Sequence, residues 1–141
     1  MGDMIKVYDL ELADISNLKK PLIFCNPSKE IKDMAVSVNI LLAKELQKQG
    51  SPTMRTIHME NNLLQVLNML GETPVISEFD VLFNPAYKLD VIKMLINVCR
   101  KKQFAVIWPG RYENGKLYYA EDGYKDYKVY NIEDYDITVI V

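Results

Sequence analysis

Between residues 22 and 110, short apolar runs alternate with longer segments in which apolar residues recur every three or four positions. Leu22-Ile23-Phe24-Cys25, the 74–85 stretch PVISEFDVLFNP and the 103–110 stretch QFAVIWPG are too short for helices and lack strict polar alternation, as strands buried on both faces do. The segments between them carry helical stripes. Over 29–49 these are Ile31, Met34, Ala35, Val38, Leu41, Leu42 and Leu46; over 60–70, Leu63, Val66, Leu67 and Leu70; over 86–102, Leu89, Ile92, Leu95, Ile96 and Cys99. A strand is expected over 53–59 and a short helix over 7–18. Alternation of this kind predicts a three-layer α/β sandwich with a mainly parallel sheet.

The chain changes character after residue 110. Asn114-Gly115 lies between apolar-alternating flanks and signals a tight hairpin, and KLYYAE, YKVYN and DITVIV read as three further strands. One domain over 1–141 is expected, with a parallel core over 1–110 and a hairpin-rich, antiparallel tail over 111–141. The length fits a single core.

Charge and composition narrow the function. Seventeen basic against nineteen acidic side chains argue against wholesale binding of a phosphate backbone, so nucleic acid is expected only indirectly. No apolar run approaches the ~20 residues that span a bilayer, and the acidic start MGDMIKVYDLELAD is unlike a signal peptide. Cys25 and Cys99, both in apolar segments, read as reduced core residues of a cytoplasmic protein. His58 is the lone histidine, which argues against a zinc site or a histidine-based triad.

In a parallel sheet, ligands gather beyond the carboxyl ends of the strands. The first such end is Asn26-Pro27-Ser28-Lys29, a strand–loop–helix junction where a phosphate loop of the form G-x-x-x-x-G-K-[ST] would lie. In the register starting at Cys25, the second glycine position holds Glu30, the lysine position Ile31 and the hydroxyl position Lys32. Side chains there obstruct the approach of backbone N–H groups to phosphate, and Glu30 adds a negative charge. Ile31 cannot neutralise phosphoryl charge, nor Lys32 hold Mg²⁺ as a hydroxyl does. Catalytic residues are therefore expected to be absent, with no cofactor and no metal. If a nucleotide such as Mg-ATP or another anion binds, the residues to hold it are Asn26, Ser28, Lys29, Lys32 and Asp80.

Glu78 and Asp80, two apart in VISEFDVLF, are expected on one strand face, where paired carboxylates could bind a metal or act in acid–base chemistry; the preferred reading is that they point toward a polar sheet end or cap a neighbouring helix. Seven of the nine tyrosines fall in the last thirty residues, interleaved with Lys116, Lys125 and Lys128 and with Glu121, Asp122, Asp126, Glu133 and Asp134. That mixture favours a protein-binding surface over a nucleic-acid one, with plain hairpin packing as the other reading. The expected interface residues are Trp108, Tyr119, Tyr124, Tyr127 and Tyr130, and core packing is the preferred reading of Trp108.

The stretch VLFNPAYKLDVIKMLINVCRKKQFAVIWPG, followed by GKLYYAEDGYKDYKVY, resembles the small P-loop-containing protein F of type 3 BREX phage-exclusion systems. The residues that carry the likeness are Leu82, Phe83, Pro85, Asp90, Trp108, Gly110, Leu117, Tyr119, Ala120, Gly123, Tyr127 and Tyr130, with VNILLAKEL at 38–46 similar to the first helix. The likeness implies a P-loop-NTPase-like core and a role among the proteins of a bacterial antiviral defence system. The departures are the missing Walker A glycines and Ser77 where the family carries an acid early in the second motif strand, Asp80 standing at the later position. The expectation is a non-catalytic adaptor that docks onto larger defence proteins. The alternatives are a nucleotide-binding switch or weak NTPase using residues 25–32, and an enzyme with Glu78 and Asp80 lining a pocket.

Overall fold

A computed structural model gives the fold, described for residues 2–5 and 20–141; the helix expected over 7–18 lies outside the described residues. The elements used below are strands β1 (Asp3–Ile5), β2 (Leu22–Phe24), β3 (Val36–Ser37), β4 (Val75–Ser77), β5 (Ala105–Ile107), β6 (Arg111–Glu113), β7 (Lys116–Tyr119), β8 (Lys128–Asn131) and β9 (Thr138–Ile140). The helices are α1 (Lys29–Met34), α2 (Asn39–Leu46), α3 (Pro52–Ile57), α4 (Met59–Asn68) and α5 (Val91–Cys99). Six strands form one sheet in the order β1-β9-β2-β5-β4-β3, every pair parallel, and β6-β7-β8 form a separate antiparallel sheet.

Register explains the two cores. Ile23 aligns with Val106 and Val139, and Val106 with Ile76, so these four line one face. That face packs with Leu42, Leu46, Leu63, Leu67, Ile92 and Leu95 from α2, α4 and α5. Leu22, Phe24, Val75, Ala105 and Ile140 point the other way and meet Ile31 of α1. The mixed α/β class and the mainly parallel sheet agree with the sequence reading.

Several boundaries do not. The stripe over 29–49 is two helices: the chain is extended at Ala35 and pairs at Val36–Ser37 with β4, and Val38 N–H then donates to Ser77 O at 3.1 Å. Ile31 serves one core, whereas Val38, Leu42 and Leu46 serve the other, so a single straight helix could not bury all of them. The 53–59 segment is helical. Ser51 Oγ accepts from Met54 N–H at 3.2 Å and Pro52 occupies the first turn, a start signal that overrides weak alternation.

β4 is shorter than expected. Glu78 adopts φ +50 and turns the chain into two 3-10 segments, Asp80–Phe83 and Pro85–Tyr87. α5 starts at Val91 rather than near residue 86, because the Asp90 carboxylate accepts from Lys93 N–H at 3.1 Å and fixes the first turn there. Asn114 and Gly115, at φ +51 and +76, make the expected tight turn between β6 and β7. The 136–141 run leaves that hairpin sheet altogether: β9 inserts between β1 and β2, so the parallel core does not end at residue 110.

Candidate functional site

The carboxyl ends of β2, β5 and β4 lie side by side, tied by Trp108 N–H donating to Phe24 O at 2.9 Å; Cys25 N–H donates to Ile140 O at 2.8 Å. Beyond β2, the loop turns into α1 with Ser28 as cap, its Oγ accepting from Ile31 N–H at 3.4 Å. α1 has only six residues and carries Glu30 in its first turn, so little helix dipole is available to an anion and a carboxylate already complements it. The side chains of Asn26, Ser28, Lys29 and Lys32 are exposed. Burial pushes the Cys25 thiol up to about 12, which leaves it protonated and unreactive at neutral pH.

Glu78 and Asp80 part company instead of sharing a strand face. The Glu78 carboxylate reaches toward the sheet edge, where Ser37 Oγ donates to Oε2 at 2.7 Å. Asp80 sits in the 3-10 turn, and its Oδ2 accepts from the Tyr119 hydroxyl at 2.9 Å. Among the described residues, no three His, Cys, Asp or Glu side chains group so as to hold a metal.

Tyr119 is fixed by more than this bond. Its ring stacks on Phe83 with centroids 3.7 Å apart and planes 7° apart. Phe83 meets the edge of Trp108 at 5.6 Å, Trp108 meets Tyr130 at 5.9 Å, and Tyr130 meets Tyr135 at 5.9 Å. The Trp108 indole N–H donates to Tyr118 O at 2.8 Å. Gly110 lets β7 come this close: a Cβ there would lie 1.8 Å from Tyr118 O. The hairpin is thereby clamped over the ends of β4 and β5.

Burial raises the Tyr119 phenol first, and the bond to and charge of Asp80, then the charge of Asp126, raise it further. Tyr130 is raised by burial and then by the charge of Asp90. Tyr135 is raised by burial and by its hydroxyl's 2.8 Å bond to Asp90 Oδ2. These phenols stay neutral through the physiological range.

Of the residues expected at an interface, Trp108 (3% exposed), Tyr119 and Tyr130 pack inside the domain, as the core reading of Trp108 anticipates. Tyr127 is half-buried and Tyr124 is 67% exposed, so these two leave ring surface open to another molecule. The outer face of the hairpin adds Tyr118, over whose ring the Arg111 guanidinium sits at 4.3 Å, and the exposed Val129 opposite it. Neither Asp90 nor Tyr135 stands among the expected site residues, although Asp90 carries both a helix cap and a phenol. The signal available for it was an Asp immediately before an apolar-periodic run. Comparison of the chain with family models, with curated proteins and with solved structures finds no match.

Proposed function

We propose that this chain is a non-catalytic accessory subunit with a degenerate P-loop-NTPase-like core, which docks onto larger proteins of a bacterial phage-defence assembly of the BREX kind. Leaving out edge strand β1, the parallel order β9-β2-β5-β4-β3 places one strand between the candidate loop strand β2 and β4, the strand that leads into Glu78 and Asp80. That is an arrangement found in P-loop NTPase cores, and it supports the fold half of the reading; fold alone does not fix function. The resemblance of the 82–130 region supports the defence role.

One observation carries the non-catalytic half. Asp80, the acid placed to position Mg²⁺ and water in such a core, is bound to Tyr119 of a hairpin that lies over it. The loop that would hold the triphosphate has no glycine and no lysine at the motif position. The outer face of the hairpin, with Tyr118, Tyr124 and Val129, is the surface offered to the partner.

Two measurements test this. Tagged chain purified from a host with the intact operon should bring down products of neighbouring genes, identified by mass spectrometry; recovery of none of them ends the docking reading. Calorimetry with Mg-ATP should show no saturable heat. A Kd below roughly 100 μM, about −5.5 kcal/mol, abolished by Lys29→Ala or Lys32→Ala, would establish the nucleotide-switch alternative instead.

A further inference from the structure

Away from the sheet edge, an open cleft of about 240 Å³ lies where α2, α3 and the 3-10 turns meet, lined by Ala43, Leu46, Gln47, Arg55, Val81 and Tyr87. Its walls mix apolar side chains with the Gln47 amide and one cation, and carry no carboxylate. The cation is held in place. Arg55 Nε donates to Leu46 O at 3.0 Å and to Gln49 O at 3.2 Å, bonds that close the carboxyl end of α2. With Nε engaged, the guanidinium still has its two terminal amino groups, and these bond to no described residue.

Tyr87 supplies the second polar group. It is only 4% exposed and is anchored through its backbone, Thr56 Oγ1 donating to Tyr87 O at 2.9 Å. Its hydroxyl makes no hydrogen bond with the described residues, yet it is not sealed from solvent as that of Tyr130 is. Tyr87 thus brings a phenol without a hydrogen-bond partner among the described residues to the lining of a cleft that also holds a fixed guanidinium, and such a group calls for an acceptor.

We propose that this cleft binds a small carboxylate with an apolar tail, its two oxygens taken end-on by the terminal amino groups of Arg55 and one of them also by the Tyr87 hydroxyl. A planar fork with a pre-set orientation suits a carboxylate. Ala43, Leu46 and Val81 favour an apolar tail over a fully hydrated anion. At ~30 Å³ per water-sized group the cleft takes about eight such groups, which corresponds to a carboxylic acid of about six carbons. The site does not depend on the reading of the sheet edge.

The test is a titration of the ¹⁵N-labelled full chain with 4-methylpentanoate, with 4-methylpentanamide and inorganic phosphate in parallel. Saturable shifts are expected at Gln47, Arg55, Val81 and Tyr87 with the acid, and binding about tenfold weaker or more with the amide and with phosphate. Arg55→Lys, which keeps the charge and loses the fork, should weaken acid binding about tenfold, and Tyr87→Phe about threefold. No saturation by roughly 10 mM acid, or an amide that binds as tightly as the acid, overturns the site, and both use the unaltered protein. Phosphate binding as tightly as the acid overturns the assignment to a carboxylate with an apolar tail.

Discussion

Replacing Gly110 by alanine should loosen the clamp between hairpin and sheet. The added Cβ would lie 1.8 Å from Tyr118 O, 2.9 Å from Tyr118 C and 3.0 Å from Trp108 Nε1. The nearest atom is backbone carbonyl, so no side chain can swing aside; β7 must retreat by about 1.6 Å to restore an ordinary contact, the difference between 3.4 and 1.8 Å. That retreat stretches the 2.8 Å bond from the Trp108 indole to the same carbonyl. Overpacking of this sort costs about 1–3 kcal/mol, and a buried indole N–H left without its acceptor about 1–3 kcal/mol more. The expected loss is therefore about 3 kcal/mol, near 10 °C in Tm for a chain of this size. Urea unfolding followed by fluorescence reads both parts at once, since Trp108 is the sole tryptophan and sits at the clamp. Gly50→Ala is the control, because nothing lies within 4 Å of a Cβ there, and it should leave stability unchanged. Gly110→Ala unfolding within about 0.5 kcal/mol of the unaltered chain, with the same tryptophan emission, would refute the clamp.

Tyr119→Phe keeps the stack on Phe83 and deletes the donor to Asp80, so it should cost about 1–2 kcal/mol, against about 3–5 for Tyr119→Ala; equal losses in urea titrations would contradict a role for both contacts. Asp90→Ala removes the cap on α5 and the acceptor for Tyr135, and should cost about 2 kcal/mol in the same assay. Tyr119 and Tyr130 hold their protons more tightly in the fold than in the unfolded chain. Unfolded phenols ionise near pH ~10, so the unfolded state binds fewer protons above that pH; stability should be intact below about pH 10 and fall above it, by ~1.4 kcal/mol per pH unit for each phenol. Tyr130→Phe should remove one proton from that slope in unfolding series at rising pH. At neutral pH it should be neutral or stabilising, because the buried Tyr130 hydroxyl makes no hydrogen bond of good geometry among the described residues.

What could be read in the chain is what local physics fixes. β2 and β5 are apolar without alternation because each is flanked by strands and covered on both faces, and that pattern stands in the sequence. Asn114-Gly115 specifies its turn by the positive φ both residues accept. The break at Ala35–Val38 is invisible to a helical count, since Ile31 and Val38 fit one stripe while belonging to different cores. The helix at Pro52 is hidden by the weak alternation over 53–59, although Ser51 followed by proline in a first turn is a helix start. At the sheet edge, the positions of Asp80 and Tyr119 were legible, but their bond spans 39 residues and depends on where the hairpin folds back. The bonds of Arg55 to Leu46 and Gln49 are shorter in range, yet need a helix where a strand was expected.

Residues 108–137 connect β5 to the parallel strand β9, so this segment leaves the sheet at its carboxyl edge and must return to its amino edge. At the carboxyl edge Phe83, Trp108, Gly110, Tyr119 and Tyr130, five of the residues that carry the likeness, meet in one packed group; Asp90 holds Tyr135 beside it. Their common task is to hold the hairpin down, and the Asp80 carboxylate is enlisted in it through Tyr119. Those residues therefore act in closing the sheet edge, whatever chemistry the edge carries. What the packing leaves outside on the hairpin itself is the Arg111–Tyr118 pair, Val129 and Tyr124.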